Sequence, residues 1–175
     1  MMLQNILSSG YKSKTAGYAF IDLVIIAFIY FLPSLSHLTS IPFYLFEPMR
    51  LAIIFCILST SRNNSLLIAL TLPVISLIIS SHPVLVKSLL ITLELIANVL
   101  LLYYLIQRLR NKFLAILLSI FFAKVVYYMG KLSLLSLGLL DGELISTPLW
   151  LQYIMMFLFS IYGALAFKRK QDYQS

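Results

Sequence analysis

The chain has 175 residues, of which 61% are hydrophobic and only 11% are charged. A water-soluble domain carries about 25% charged residues, so this composition excludes one and points to an all-α integral membrane protein. The net charge of +7 does not call for nucleic acid, because the 13 basic residues punctuate apolar runs instead of gathering on one soluble face.

The first stretch, "MMLQNILSSGYKSKTA" (1–16), is weakly amphipathic and lacks an apolar core with a cleavage site. It is expected to be a cytoplasmic tail rather than a signal peptide. Six apolar segments follow, each at or near the roughly 20 residues that a spanning helix needs. They cover 17–35, 49–60 (with an apolar lead-in from Ile41), 65–80, 84–107, 113–137 and 148–167. The second and third are short and are joined by the polar turn "TSRNNS", which fits a tilted helical hairpin. Pro73 within the third should kink it. Pro148 fits the first turn of the sixth, with Thr147 as its cap. The membrane domain is thus 17–167, and 168–175 form a basic tail. The one cysteine, Cys56, lies in an apolar run, so neither a disulfide framework nor a cysteine metal site is expected.

The connections alternate in charge. Lys12 and Lys14 precede the first span, and Arg62 lies between the second and third. Arg108, Arg110 and Lys112 separate the fourth and fifth, and Lys168, Arg169 and Lys170 follow the sixth. The remaining connections, "SHLTSIPFYLFE", "SSHP" and "GLLDGELIST", contain neither Lys nor Arg. By the positive-inside rule, six transmembrane helices with cytoplasmic N- and C-termini are expected, the charge-poor loops facing out.

Four basic residues, Arg50, Lys87, Lys124 and Lys131, fall outside those cytoplasmic clusters, as do Glu47 and Glu94. A charge at the centre of a spanning helix costs about 2.5–3.5 kcal/mol unless it pairs or meets water. Lys87, Glu94 and Asn98 are spaced by seven and four residues, which keeps them on one helical stripe. Lys124, Tyr128 and Lys131 form a matching stripe on the next helix, with Tyr127 at its edge. These stripes can line an outward polar cavity. Plainer roles stand beside that one: Lys87 and Lys131 can snorkel to the outer interface, Glu47 and Arg50 can form an interfacial pair, and Glu94 can neutralise Lys124. Asn98 can serve as interhelical glue. Asp22, about a turn into the first span, lies on the cytoplasmic side.

Enzyme chemistry has no foothold here. The chain contains no His-Glu-x-x-His, no Gly-x-Ser-x-Gly and no phosphate-binding loop, so no catalytic residue, metal site or cofactor is expected. His37 and His82 both fall in outward loops, far from Cys56. Six short spans around one polar cavity, without internal repeats, fit a binding module better than a self-sufficient transporter.

At the level of motifs, the chain resembles the substrate-binding S component of an energy-coupling factor (ECF) transporter. The resemblance rests on size, the six-helix layout and the order of features along residues 47–111. There, two short spans are followed by a His-Pro turn and then by a helix with Lys87 and Glu94-x-x-x-Asn98. "LLSIFFAKVVYYMGKL" resembles the fifth helix of such proteins, with its intramembrane polar residues. The resemblance implies a multi-pass protein of the cell membrane (an inner membrane where there are two) that binds a vitamin or similar micronutrient. It implies docking onto a membrane coupling subunit and two cytoplasmic ATPases. The ligand would be held by the loop 37–47 and by Lys87, Glu94, Asn98, Lys124, Tyr128 and Gln152. The Ala-x-x-x-Ala docking pattern of such proteins is not matched by Ala16, Ala19 and Ala27. A structural scaffold of the rod-shape-determining type is the alternative; its polar stripes would meet a partner helix or pair internally.

Overall fold

The structure is a computed structural model that describes residues 2–80 and 84–172, with side chains described over 16–78 and 84–169. The expected turn at His82 and Pro83 lies outside the described residues. Within them the fold is all-α, with no strand. The helices are α1 (Met2–Thr39), α2 (Pro48–Ser59), α3 (Arg62–Ser80), α4 (Leu85–Arg108), α5 (Lys112–Ser136) and α6 (Leu149–Asp172). A short 3-10 turn, Phe43–Phe46, precedes α2.

Four helices are long and apolar enough to cross a membrane: α1 over Ala16–Thr39, α4, α5, and α6 over Leu149–Arg169. α2 and the apolar part of α3, Arg62–Ile78, are shorter. The 12 residues of α2 rise about 18 Å, well under the roughly 30 Å of bilayer hydrocarbon. Large apolar side chains such as Phe20, Phe31, Ile78 and Leu165 face outward, as a bilayer solvent permits.

α2 is short because it is central. It packs against α1, α3, α4 and α6. Its Arg50, Ile53, Ile54 and Ile57 follow the i, i+3, i+4, i+7 spacing and are all buried. Ile68, Leu72, Leu95, Val99, Leu102, Ile116 and Ile120 complete the core around it. α1 lies at the edge and contributes only Ile25, Ile29 and Leu32 to that core.

The ends of the helices follow local chemistry. Asn111 caps α5: its Oδ1 accepts from the backbone N–H of Phe113 at 3.0 Å and of Leu114 at 3.4 Å. At the other end of α5, Leu139 N–H donates to Leu134 O and Gly138 N–H to Leu135 O, both at 3.0 Å. That double closure needs a left-handed residue, and Gly138 supplies it at φ +66°. Tight seams also use glycine: a Cβ on Gly130 would lie 2.6 Å from Leu90 Cδ1, where α5 meets α4.

Several boundaries differ from the sequence expectation, among them the start of α3, at Arg62 against 65, and the end of α6, at Asp172 against 167. α1 begins at Met2 and continues through Pro33 to Thr39, so residues 2–16 are helical. Thr39 Oγ1 donates to Leu35 O at 2.8 Å and helps to satisfy that last turn. The start of α6 also shifts. Pro148 O accepts the first helical N–H bonds, from Leu151 and Gln152, so Pro148 takes the cap position expected of Thr147. On the side of Arg62, Asn64 Nδ2 donates to Asp22 Oδ1 at 2.7 Å, which ties α3 to α1 and gives Asp22 a partner.

Candidate functional site

The sharpest departure from apolar packing is a cluster of four charges at the end of the bundle away from Arg62, Arg108 and Lys168. Glu47 stands between the 3-10 turn and α2 with φ 50° and ψ 53°, a left-handed conformation costly for a residue with a Cβ. Pro48 then opens α2, which places Arg50 on the same face as the core isoleucines. Arg50 is only 3% exposed. Its Nε lies 2.8 Å from Glu47 Oε2, its outer guanidinium nitrogen is ion-paired with Glu94, and its third nitrogen lies 3.5 Å from Ile120 O. The second Glu47 oxygen is ion-paired with Lys124. Two cations and two anions thus neutralise one another, as charges taken out of water require.

A neutral hydrogen-bond chain extends the cluster to α6. Lys124 Nζ donates to Gln152 Oε1 at 3.0 Å, and the Tyr128 hydroxyl donates to the same oxygen at 2.8 Å. Gln152 Nε2 donates in turn to Thr147 O at 2.8 Å. This chain fixes the rotamers of three polar side chains on α5 and α6.

The cluster forms one wall of a cavity of about 840 Å³. Small-molecule sites typically enclose about 300–1,000 Å³. Its lining includes Lys87, Glu94, Lys124, Tyr128 and Gln152, five of the six residues expected from the sequence to meet a ligand. His37, Glu47, Arg50 and Tyr127 also line it, with the apolar wall drawn from Ile29, Leu32, Ile91 and Leu95. A smaller cavity of about 220 Å³ adjoins it between α5 and α6, sharing Lys124, Tyr128 and Gln152.

Asn98 is the exception. It is not part of the cavity lining; it is fully buried between α4 and α5, where its Nδ2 donates to Ser119 Oγ at 3.2 Å. One further turn of helix carries it below the cavity floor, and the interhelical role weighed for it from the sequence is the one this geometry matches. The pairing also differs from the sequence expectation. The Glu47–Arg50 pair weighed from the sequence is present, but Glu94 pairs with Arg50 and not with Lys124, which takes the other Glu47 oxygen. Arg50 is buried instead of interfacial, a placement that its position at the head of the apolar stripe Ile53, Ile54, Ile57 signals.

Among the described residues, no group of three or more His, Cys, Asp or Glu side chains could hold a metal ion. Cys56 is buried beside Thr60 Oγ1 at 3.2 Å, on the far side of the core from the cavity. No protein-family profile, curated protein or solved structure matches this chain.

Proposed function

We propose that the protein is the membrane-embedded substrate-binding component of an ECF-type uptake transporter, taking a small micronutrient into an outward-facing cavity. In this reading all six helices belong to the membrane domain, both termini are cytoplasmic, and the protein lies in the cell membrane. Transport energy comes from partners, a membrane coupling subunit and cytoplasmic ATPases. The observation that carries the reading is the cavity itself. Five polar residues drawn from three helices converge on about 840 Å³ of space, at the end of the bundle that the charge-poor loops share. Only Glu94 Oε1 is engaged by Arg50, which leaves Glu94 Oε2 for a ligand donor.

The scaffold alternative has one observation in its favour: the four charges satisfy one another without a ligand. It does not call for an empty space of this size beside them. The two readings part in a thermal-shift screen of water-soluble vitamins and their precursors on the purified protein. At 100 times its dissociation constant a ligand adds about 2.7 kcal/mol of stability. At least one stabilising compound is expected; failure of every compound, together with recovery of a bound partner protein, would favour the scaffold. Reporter fusions at Arg62, Lys112 and Arg169 should read cytoplasmic and one at Gly142 external. An external reading at Lys112 defeats the six-crossing arrangement.

A further inference from the structure

The polar residues of α4 and α5 lie on two levels. Glu94 and Lys124 occupy the inner one. Lys87 and Lys131, each seven residues nearer the cavity end of its helix, occupy the outer one, about 10 Å away at 1.5 Å per residue. The inner level is electrically balanced by Glu47 and Arg50. The outer level is not. Among the described residues, neither Lys87 nor Lys131 forms an ion pair, and the two stand at one level of the α4–α5 seam, where Gly130 packs on Leu90. Among the described residues, Glu143, exposed in the α5–α6 connection, is the acidic group that acts on Lys131. Lys131 is nonetheless 3% exposed, and Lys87 lines the cavity. Two ammonium groups at one level of an apolar bundle are unfavourable together unless a negative charge joins them.

We propose that the outer level is an anion seat. The bound solute carries a carboxylate or phosphate held by Lys87 and attracted by Lys131, about 10 Å from a hydrogen-bonding head that meets Glu94 Oε2. This rests on the solute-binding reading and narrows its substrate class to acidic, elongated micronutrients. Lys124 is not the anion contact, because Glu47 and Gln152 already occupy it. Lys87 touches the ligand; Lys131 acts through its field, so its loss costs less.

The test uses matched pairs of probes that differ only in the acid group: biotin and biotinamide, pantothenate and pantothenol, lipoate and lipoamide, thiamine monophosphate and thiamine. Binding is measured on the full chain in nanodiscs of phosphatidylcholine alone and of phosphatidylcholine with phosphatidylglycerol. At least one acid should bind about tenfold or more tightly than its neutral partner, the scale of one charge-assisted hydrogen bond. Lys87→Met should abolish that preference, and Lys131→Met should reduce it by a smaller factor. Both variants match lysine in volume, and Lys131→Met should leave the unliganded melting temperature unchanged or raised. Equal binding of acid and neutral partner overturns the anion seat while leaving solute binding intact, as does a preference that survives Lys87→Met. Stabilisation by phosphatidylglycerol that Lys87→Met removes assigns the seat to a lipid headgroup and also overturns it. If no probe binds in either membrane and no small molecule co-elutes with the purified protein, solute binding fails with it.

Discussion

Replacing Glu94 with Gln keeps the shape of the side chain and removes one of the four paired charges. Glu94 is 7% and Arg50 3% exposed, so water makes up only part of the loss. Two cations would then share the single carboxylate of Glu47. Breaking a buried ion pair by removing one partner costs about 3–5 kcal/mol. The lower end applies, about 3 kcal/mol, because the Gln carbonyl still accepts from the guanidinium. For a chain of this size that corresponds to a fall of about 6–12 °C in melting temperature. The assay is thermal unfolding of the purified, ligand-free protein, followed by the fluorescence of its one tryptophan, Trp150. Lys124→Met alone leaves one cation facing two carboxylates and should also destabilise. Glu94→Gln combined with Lys124→Met restores one cation to one anion and should melt above Glu94→Gln alone, with a coupling of about 0.5–3 kcal/mol. If the two losses simply add, the charges do not act as a unit, and the account of the cavity wall given above is refuted.

Gly138→Ala should destabilise by about 1–2 kcal/mol, because alanine at φ +66° meets its own backbone while nothing else lies within 4 Å of the new Cβ. An unchanged melting temperature would contradict the glycine closure of α5. Asn111→Ala should cost about 1 kcal/mol through loss of the α5 cap, and Asn111→Asp should recover most of it; equal losses for the two would show that the Oδ1 bonds do not matter.

Much of the fold is legible in the sequence because apolar runs and basic punctuation are local signals. The ends expected for the fourth and fifth segments, 84–107 and 113–137, fall within a residue of α4 and α5. That Lys87 and Glu94, and Lys124 and Tyr128, share one cavity was legible for a similar reason: offsets of seven and four on one helix hold whatever that helix packs against. What was not legible is partner choice. Whether Glu94 faces Lys124 or Arg50 depends on the placement of α2 between α1, α4 and α6, a tertiary fact that no spacing within one helix encodes. Asn98 illustrates the limit along the other axis. It shares a stripe with Glu94, but the stripe does not say where the cavity floor lies. The expected first span, 17–35, already ran through Pro33; the continuation of α1 back to Met2 was hidden because that stretch is only weakly amphipathic and offers no apolar run.

The shared carboxylate of Glu47 also bears on the order in which the chain assembles. Arg50 is made 44 residues before Glu94 and 74 before Lys124, yet Glu47 precedes it by only three. An unpaired arginine in a nascent apolar helix meets the cost of an isolated charge, about 2.5–3.5 kcal/mol. Its upstream glutamate, three residues away, offers a partner from the same stretch of chain, so α2 carries its own countercharge. Glu94 on α4 meets a different nitrogen of the guanidinium, so Glu47 keeps its own contact with Arg50 and its second oxygen is left over. Lys124 on α5, some 30 residues further along and a few seconds of synthesis at about 5–20 residues per second, takes that second oxygen. The same carboxylate therefore serves first as a local chaperone for one helix and afterwards as the clasp that admits another.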